Sequence, residues 1–260
     1  KMRRLLFIFY LSLFTFHLSL RISCTQRVEN PVALDRLPDI YPDYIGVTIP
    51  AEIAPLNFNL QSSIFNLQCD LVDVVVRGSK GGELHTQGDY ADFDVKDWHE
   101  LTARNKGGEL TFTVCVRQDG QWNQYKDFKV YVSDYALDEW GLTYRRIAPG
   151  YEVYSKMGLY QRDLATFDEY AIIENTQVPG MCVNCHSAHQ TDPSKFVFHV
   201  RGDHGATMFQ IDGKREWLKA KNDLLGGSMV YPYWHPSGKY CAFSTNQTRQ
   251  GFHVIKDERD

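Results

Sequence analysis

Cys182-Val183-Asn184-Cys185-His186 is the stretch of this chain whose residue types and spacing point most directly to chemistry. Two cysteines separated by two residues, with histidine next, form the pattern by which a polypeptide attaches haem covalently. Each thiol adds across one vinyl group, and the two-residue gap lets both sulfurs reach the vinyls of one porphyrin. His186, adjoining the second thiol, then lies under the ring and gives its nitrogen to iron. Cys182, Cys185 and His186 are therefore the expected haem c-binding residues, with His186 the proximal iron ligand.

A second axial ligand has to come from elsewhere. His189 follows His186 by three residues, on the same side of any helical turn, so it does not reach the opposite face of the ring. Downstream, the run from Phe198 to Met208 offers three distal candidates, His204, His199 and Met208. His204 is preferred, because its glycine-flanked loop lets a side chain approach closely. His199 alternates with Phe198 and Val200 and is expected to face solvent. Histidine at the distal position gives a low-potential centre, and methionine raises the potential. Arg145, Arg146 and Arg201 are candidates to pair with the haem propionates.

Two other chemistries fit the same cysteines. Cys182, Cys185 and His189, with His199 or His204, have the composition of a Cys2His2 zinc site. Alternatively Cys182 and Cys185 form a disulfide or dithiol redox pair, although no thioredoxin-like βαβ pattern surrounds them. No Ser-His-Asp grouping or nucleophile elbow is present, so the only candidate for catalysis is an open iron face.

The elements that must position these residues read as strands. The 260 residues carry 43% hydrophobic and 23% charged side chains, the composition of a folded globular protein, and 13% aromatics, which suits a β-rich fold. The net charge of -4, without long runs of one sign, gives no electrostatic reason to expect a nucleic-acid partner. Lys1, Arg3 and Arg4 precede an apolar run from Leu5 to Leu20, the pattern of a secretory signal peptide. It ends in Arg21-Ile22-Ser23-Cys24, which resembles the lipobox of bacterial lipoproteins and implies lipidation at Cys24, with Arg21 a departure where leucine is usual. An ordinary signal peptide cut nearby is the other reading. Either makes the protein exported; the first makes it a periplasmic or outer-membrane-anchored lipoprotein. Export permits a disulfide between Cys69 and Cys115, and a buried free thiol is the other outcome. Cys241, in an apolar run, is expected in the core.

Residues 25–42, with Pro31, Pro38 and Pro42, are expected to be a tether. Residues 43–134 are expected to be a β-sandwich of immunoglobulin-like size. Its strands are Tyr44 to Ile49, Leu71 to Val76, Leu110 to Val116 and Phe128 to Val132, with a short helix at Val95 to Arg104 capped by Asp94. Lys-Gly-Gly-Glu-Leu occurs twice, from Lys80 and from Lys106, each time as a turn entering a strand.

From 135 the character changes. Gly158-Leu159-Tyr160-Gln161-Arg162-Asp163-Leu164 resembles the "I-Y-x-x-D-L" strand of propeller repeats. Tyr233-Trp234-His235-Pro236-Ser237-Gly238-Lys239-Tyr240-Cys241-Ala242-Phe243-Ser244 is similar to the "W-S-P-D-G-K-x-I-A-F-x-S" repeat of TolB-like β-propellers, with His235 and Ser237 replacing Ser and Asp. The chain as a whole resembles bacterial TolB-like propeller lipoproteins with a single haem-attachment motif. The resemblance implies a mainly β chain, a β-sandwich followed at 135–260 by the first blades of an incomplete propeller, with a haem-binding insertion at 182–186. It implies a cytochrome-like role, electron transfer or redox sensing with a protein partner in the envelope, and membrane attachment through lipid. A propeller scaffold whose haem or zinc is only structural is the alternative. Blades take roughly 40 residues and closure needs at least about four, so the sequence is expected to be a piece of a longer protein.

Overall fold

The computed structural model describes residues 27–60, 71–135, 137, 140–147, 157–177, 180–202, 204–219, 223 and 229–245. The expected signal peptide, Cys24 and Cys69 lie outside these. The protein is mainly β: among the described residues 53% lie in strands, with one helix and no closed barrel. No described helix is long and apolar enough to cross a membrane. The chain divides into two compact units, Lys1–Ala136 and Leu137–Asp260.

The first unit holds β1 (Val32–Ala33), β2 (Ile40–Tyr41), β3 (Thr48–Ile49), β4 (Asn59–Leu60), β5 (Leu71–Gly78), β6 (Glu83–Gly88), α1 (Val95–Arg104), β7 (Glu109–Gln118), β8 (Gln121–Gln124) and β9 (Phe128–Val132). β5 pairs antiparallel with β7 along its whole length, and β7 divides its other edge between β9 and β8. Alternation decides what is buried. Val72, Val74 and Val76 of β5 meet Leu110, Phe112 and Val114 of β7 and Phe128, Val130 and Val132 of β9 in one core. Phe112 stacks on Phe128 at 4.8 Å. Over this face lie α1, through Trp98 and Leu101, and Phe58 and Phe93 from the connecting segments. Among the described residues the covering layer is thus mostly helix and loop, with only the β2–β4 pair as a second sheet. Of the expected Tyr44 to Ile49 strand, only Thr48–Ile49 pairs, in parallel with β9.

α1 starts where expected, because the Asp94 carboxylate accepts from the amides of Lys96 and Asp97 at 2.9 and 3.1 Å. Its C-terminal Asn105 is fully buried and stitches the two Lys-Gly-Gly turns together. Its Oδ1 accepts from the Lys80 amide at 2.7 Å, and its Nδ2 donates to the carbonyls of Gly81 and Leu101. The repeat therefore encodes two adjacent turns. The first closes the β5–β6 hairpin, and the second carries the chain from α1 into β7.

Among the described residues the second unit contains three antiparallel sheets: β10 (Gly141–Arg146), β11 (Gly158–Asp163) and β12 (Glu169–Glu174); β13 (Cys182–His189), β14 (Asp192–Arg201), β15 (Ala206–Ile211) and β16 (Lys214–Leu218); and β17 (Val230–Trp234) with β18 (Cys241–Ser244). Each sheet follows chain order. β10 and β11 pack on β13, and β13 in turn packs on β17. Leu159, Ile172 and Ile173 from the first sheet share a core with Val183, Phe196, Phe198, Val200 and Met208 of the second. β14 is buried on both faces, from Phe196 to Val200, as expected of a strand between two layers. His199 consequently lies inside, 5% exposed, and not at the surface as its alternation suggested. Cys241 departs the other way, half-buried at the start of β18 instead of in the core.

Candidate functional site

Cys182 to His189 forms a strand, so the helical-turn geometry considered for His186 and His189 does not occur. The strand is not regular. Cys182, Val183 and Asn184 pair with Arg201, Val200 and His199, and the register resumes with Ser187 opposite Val197. Two residues, Cys185 and His186, therefore oppose Phe198 alone, which is a β-bulge. Cys185 takes the left-handed conformation, φ 53°. A non-glycine residue there costs on the order of 1–3 kcal/mol, the kind of local strain that collects where a strand must redirect a side chain. β17 carries the same device: Tyr231 has φ 51°, and its register with β18 slips between Val230 and Tyr233.

The register sorts the side chains by face. Val183, Ala188, Phe196, Phe198, Val200 and Met208 line the core. Cys182, Asn184, His199, Arg201 and Thr207 lie on the opposite face. Beyond the bulge, the His186 ring lies 6.0 Å from that of Phe196. Its Nε2 is 2.8 Å from Thr143 Oγ1 of β10. Burial alone pushes the imidazole down to about 4, so it is neutral at physiological pH. Two residues along β10, Arg145 Nη1 donates to Asn184 Oδ1 at 3.1 Å. The Arg145 Nε is buried and has no partner, an under-used guanidinium facing the motif. Arg145 was expected near a haem propionate, whereas Thr143 was not legible as a site residue. In Gly141-Leu142-Thr143-Tyr144-Arg145-Arg146 the apolar Leu142 is half exposed while Thr143 is 7% exposed, the reverse of what hydrophobic patterning gives.

Cys182 and Cys185 are both free and half-buried, not joined in a disulfide. Cys115 is likewise a free thiol, buried opposite Asp73, with burial pushing it up to about 11. Of the distal candidates, His199 is held by Thr207, Nδ1 to Oγ1 3.0 Å, and burial lowers its pKa. Met208 is fully buried in the core, beside Phe198 and in the same sheet as His186. His204 is exposed in the β14–β15 turn. That turn lies against the start of β13, where Gly202 approaches the Gly180 carbonyl too closely to accept a Cβ. His189 is used structurally: its Nε2 meets the Pro236 carbonyl at 3.1 Å, and its ring packs edge-on against Trp234. Among the described residues no three His, Cys, Asp or Glu side chains converge as metal ligands. Arg146, stacked over the Tyr160 ring at 4.1 Å and paired with Glu169, is already committed.

The donor set fits a covalently held haem in its chemistry. One free thiol, Cys182, precedes a bulge that holds the second, Cys185, and the neutral His186 imidazole, and an unspent guanidinium donor stands nearby. The condition is that His186 Nε2 exchanges Thr143 for iron. Searches with protein-family models and against curated protein sequences find no match to this chain.

Proposed function

We propose that the protein is an exported, lipid-anchored envelope protein that binds one haem c through Cys182 and Cys185, with His186 as axial ligand, and exchanges electrons with a protein partner. The observation that carries this reading is the motif itself, set in a strand whose bulge takes Cys185 and His186 out of the ladder while Cys182 stays paired with Arg201. When bound, the group supplies a one-electron couple whose potential follows its axial ligands and burial. The residues around it do the rest: the thiols fix the ring, His186 orients it, and Arg145 offers a donor to a propionate. The four-strand meander β13–β16, and its partial repetition in β17–β18, support reading the second unit as the opening blades of a TolB-like propeller. The first unit belongs in this reading as the sandwich-like module that precedes it.

One observation favours the scaffold reading. Tyr231 and Tyr233 of β17, and Tyr240 just before β18, are 62%, 76% and 71% exposed, large rings of the kind that suit contact with a protein or glycan.

The test is an absorption spectrum of the protein expressed with c-haem maturation machinery, followed by pyridine haemochrome after denaturation. A c-type spectrum that persists on unfolding and disappears in Cys182→Ala/Cys185→Ala is expected. A colourless protein, with or without stoichiometric zinc, would overturn the electron-transfer reading and leave the scaffold.

A further inference from the structure

We infer that Thr143 is the positioning residue that governs when His186 is available as a ligand, so that iron ligation and the closed packing of β10 against β13 exclude each other at this point. The inference rests on the haem reading above. In the Nδ1–H tautomer, the Thr143 hydroxyl donates to the Nε2 lone pair, which is the lone pair that would bind iron. Thr143 is 7% exposed and its hydroxyl is 2.8 Å from the nitrogen, so nothing the size of a porphyrin fits between them.

A second strap, Arg145 Nη1 to Asn184 Oδ1, ties the same two strands one pair further on. Among the described residues β10 pairs as a strand with β11 alone, in a sheet that reaches the motif through side chains and not through a shared ladder. Moving β10 away breaks these two side-chain hydrogen bonds and the Trp140 Nε1–Ser194 Oγ bond just before the strand, and either opens the β10–β11 ladder or draws β11 off the shared core. An order of assembly would follow: haem attached through Cys182 and Cys185 would reach His186 only with β10 stood off, whereas in the unattached chain Thr143 keeps that imidazole from other ligands.

The experiment uses the full chain and a probe that needs a free imidazole nitrogen, diethyl pyrocarbonate at neutral pH, with exposed His204 as internal reference. His186 is expected to react far more slowly than His204. Thr143→Val should raise the His186 rate about tenfold, in line with the loss of one buried hydrogen bond, while leaving His204 unchanged. Thr143→Ser, which keeps the hydroxyl, should restore protection, which a mere packing defect would not. Equal rates at His186 and His204, or no response to Thr143→Val, overturns the inference.

Hydrogen exchange provides the second arm. In protein with haem attached, the amides of Gly141–Arg146 should lose at least about tenfold protection relative to the unattached chain, while β5 and β7 stay unchanged. Unchanged protection with His186 bound to iron overturns the mutual exclusion while the haem reading stands. A chain that reacts as expected with the reagent but takes up no haem overturns the haem reading, and with it the order of assembly, and leaves only the Thr143 contact.

Discussion

Acid should weaken the second unit in a way that one side chain controls. His186 titrates at about 4 in the folded chain against 6.5 for an ordinary imidazole, because burial disfavours its charged form. A folded-state pKa depressed in this way means the unfolded chain binds the extra proton first. Stability is therefore full above about pH 6.5 and falls as pH drops towards 4. Linkage over that interval gives a loss on the order of 2 kcal/mol between about pH 8 and about pH 5. His199, also lowered by burial, adds in the same direction. The perturbation is His186→Gln in chain expressed without haem maturation, and the assay is urea denaturation at both pH values. His199 and every carboxylate are common to both proteins, so the difference between wild type and variant isolates His186. Wild type should lose about 2 kcal/mol more than the variant on acidification. Equal losses would mean that His186 is solvated, and the buried Thr143 contact would fall with it.

Four other outcomes follow from the same structure. Phe112→Ala removes a fully buried ring that packs against Phe58, Phe93, Trp98 and Phe128, and should cost about 3–5 kcal/mol in chemical denaturation; a cost under about 1 kcal/mol would contradict that packing. Asp94→Ala should cost about 1 kcal/mol by removing the cap of α1, with Asp94→Asn retaining most of it. Iodoacetamide at mildly alkaline pH should label Cys182 and Cys185 well before Cys115, whose thiol is pushed up to about 11; labelling of Cys115 at an equal rate would show that it is not buried. In haem-loaded protein, His204→Ala should change the visible bands, since His204 alone of the distal candidates is unpacked, whereas Met208→Leu should leave them as they are; the reverse pattern would make Met208 the distal ligand.

What the sequence made legible was set by local rules. The alternation of Leu110 to Val116, the β-branched run of β5 and the Asp94 cap each depend on residues within a few positions, and each element formed accordingly. Tyr44 to Ile49 had the same composition, but it pairs only at Thr48 and Ile49, because Tyr44 to Val47 form a turn in which Gly46 takes φ 73° and the Val47 amide donates to the Tyr44 carbonyl. His199 was misjudged for a related reason. Strict alternation places every second residue of β14 in solvent only if one face of the sheet is open, and β14 has both faces covered.

The candidate site was legible as a motif and not in its surroundings, and the bulge explains the difference. Thiol spacing is a property of five consecutive residues. What His186 meets depends on whether the strand carrying it stays in register, since a slip of one residue sends a side chain to the other face. Without the left-handed Cys185, the alternation running from Asn184, opposite His199, would put His186 on the His199 face of the sheet. With it, His186 turns towards Phe196 and reaches Thr143. The second cysteine of the motif therefore has two roles, one as a thiol and one as the backbone hinge that aims the histidine. This predicts an asymmetry between the cysteines: Cys185→Gly, which keeps the left-handed conformation at no steric cost, should preserve the low reactivity of His186. Cys185→Val, β-branched and averse to that conformation, should expose the imidazole even though both variants lack the thiol. Equal reactivity in the two would show that the bulge does not aim the ring.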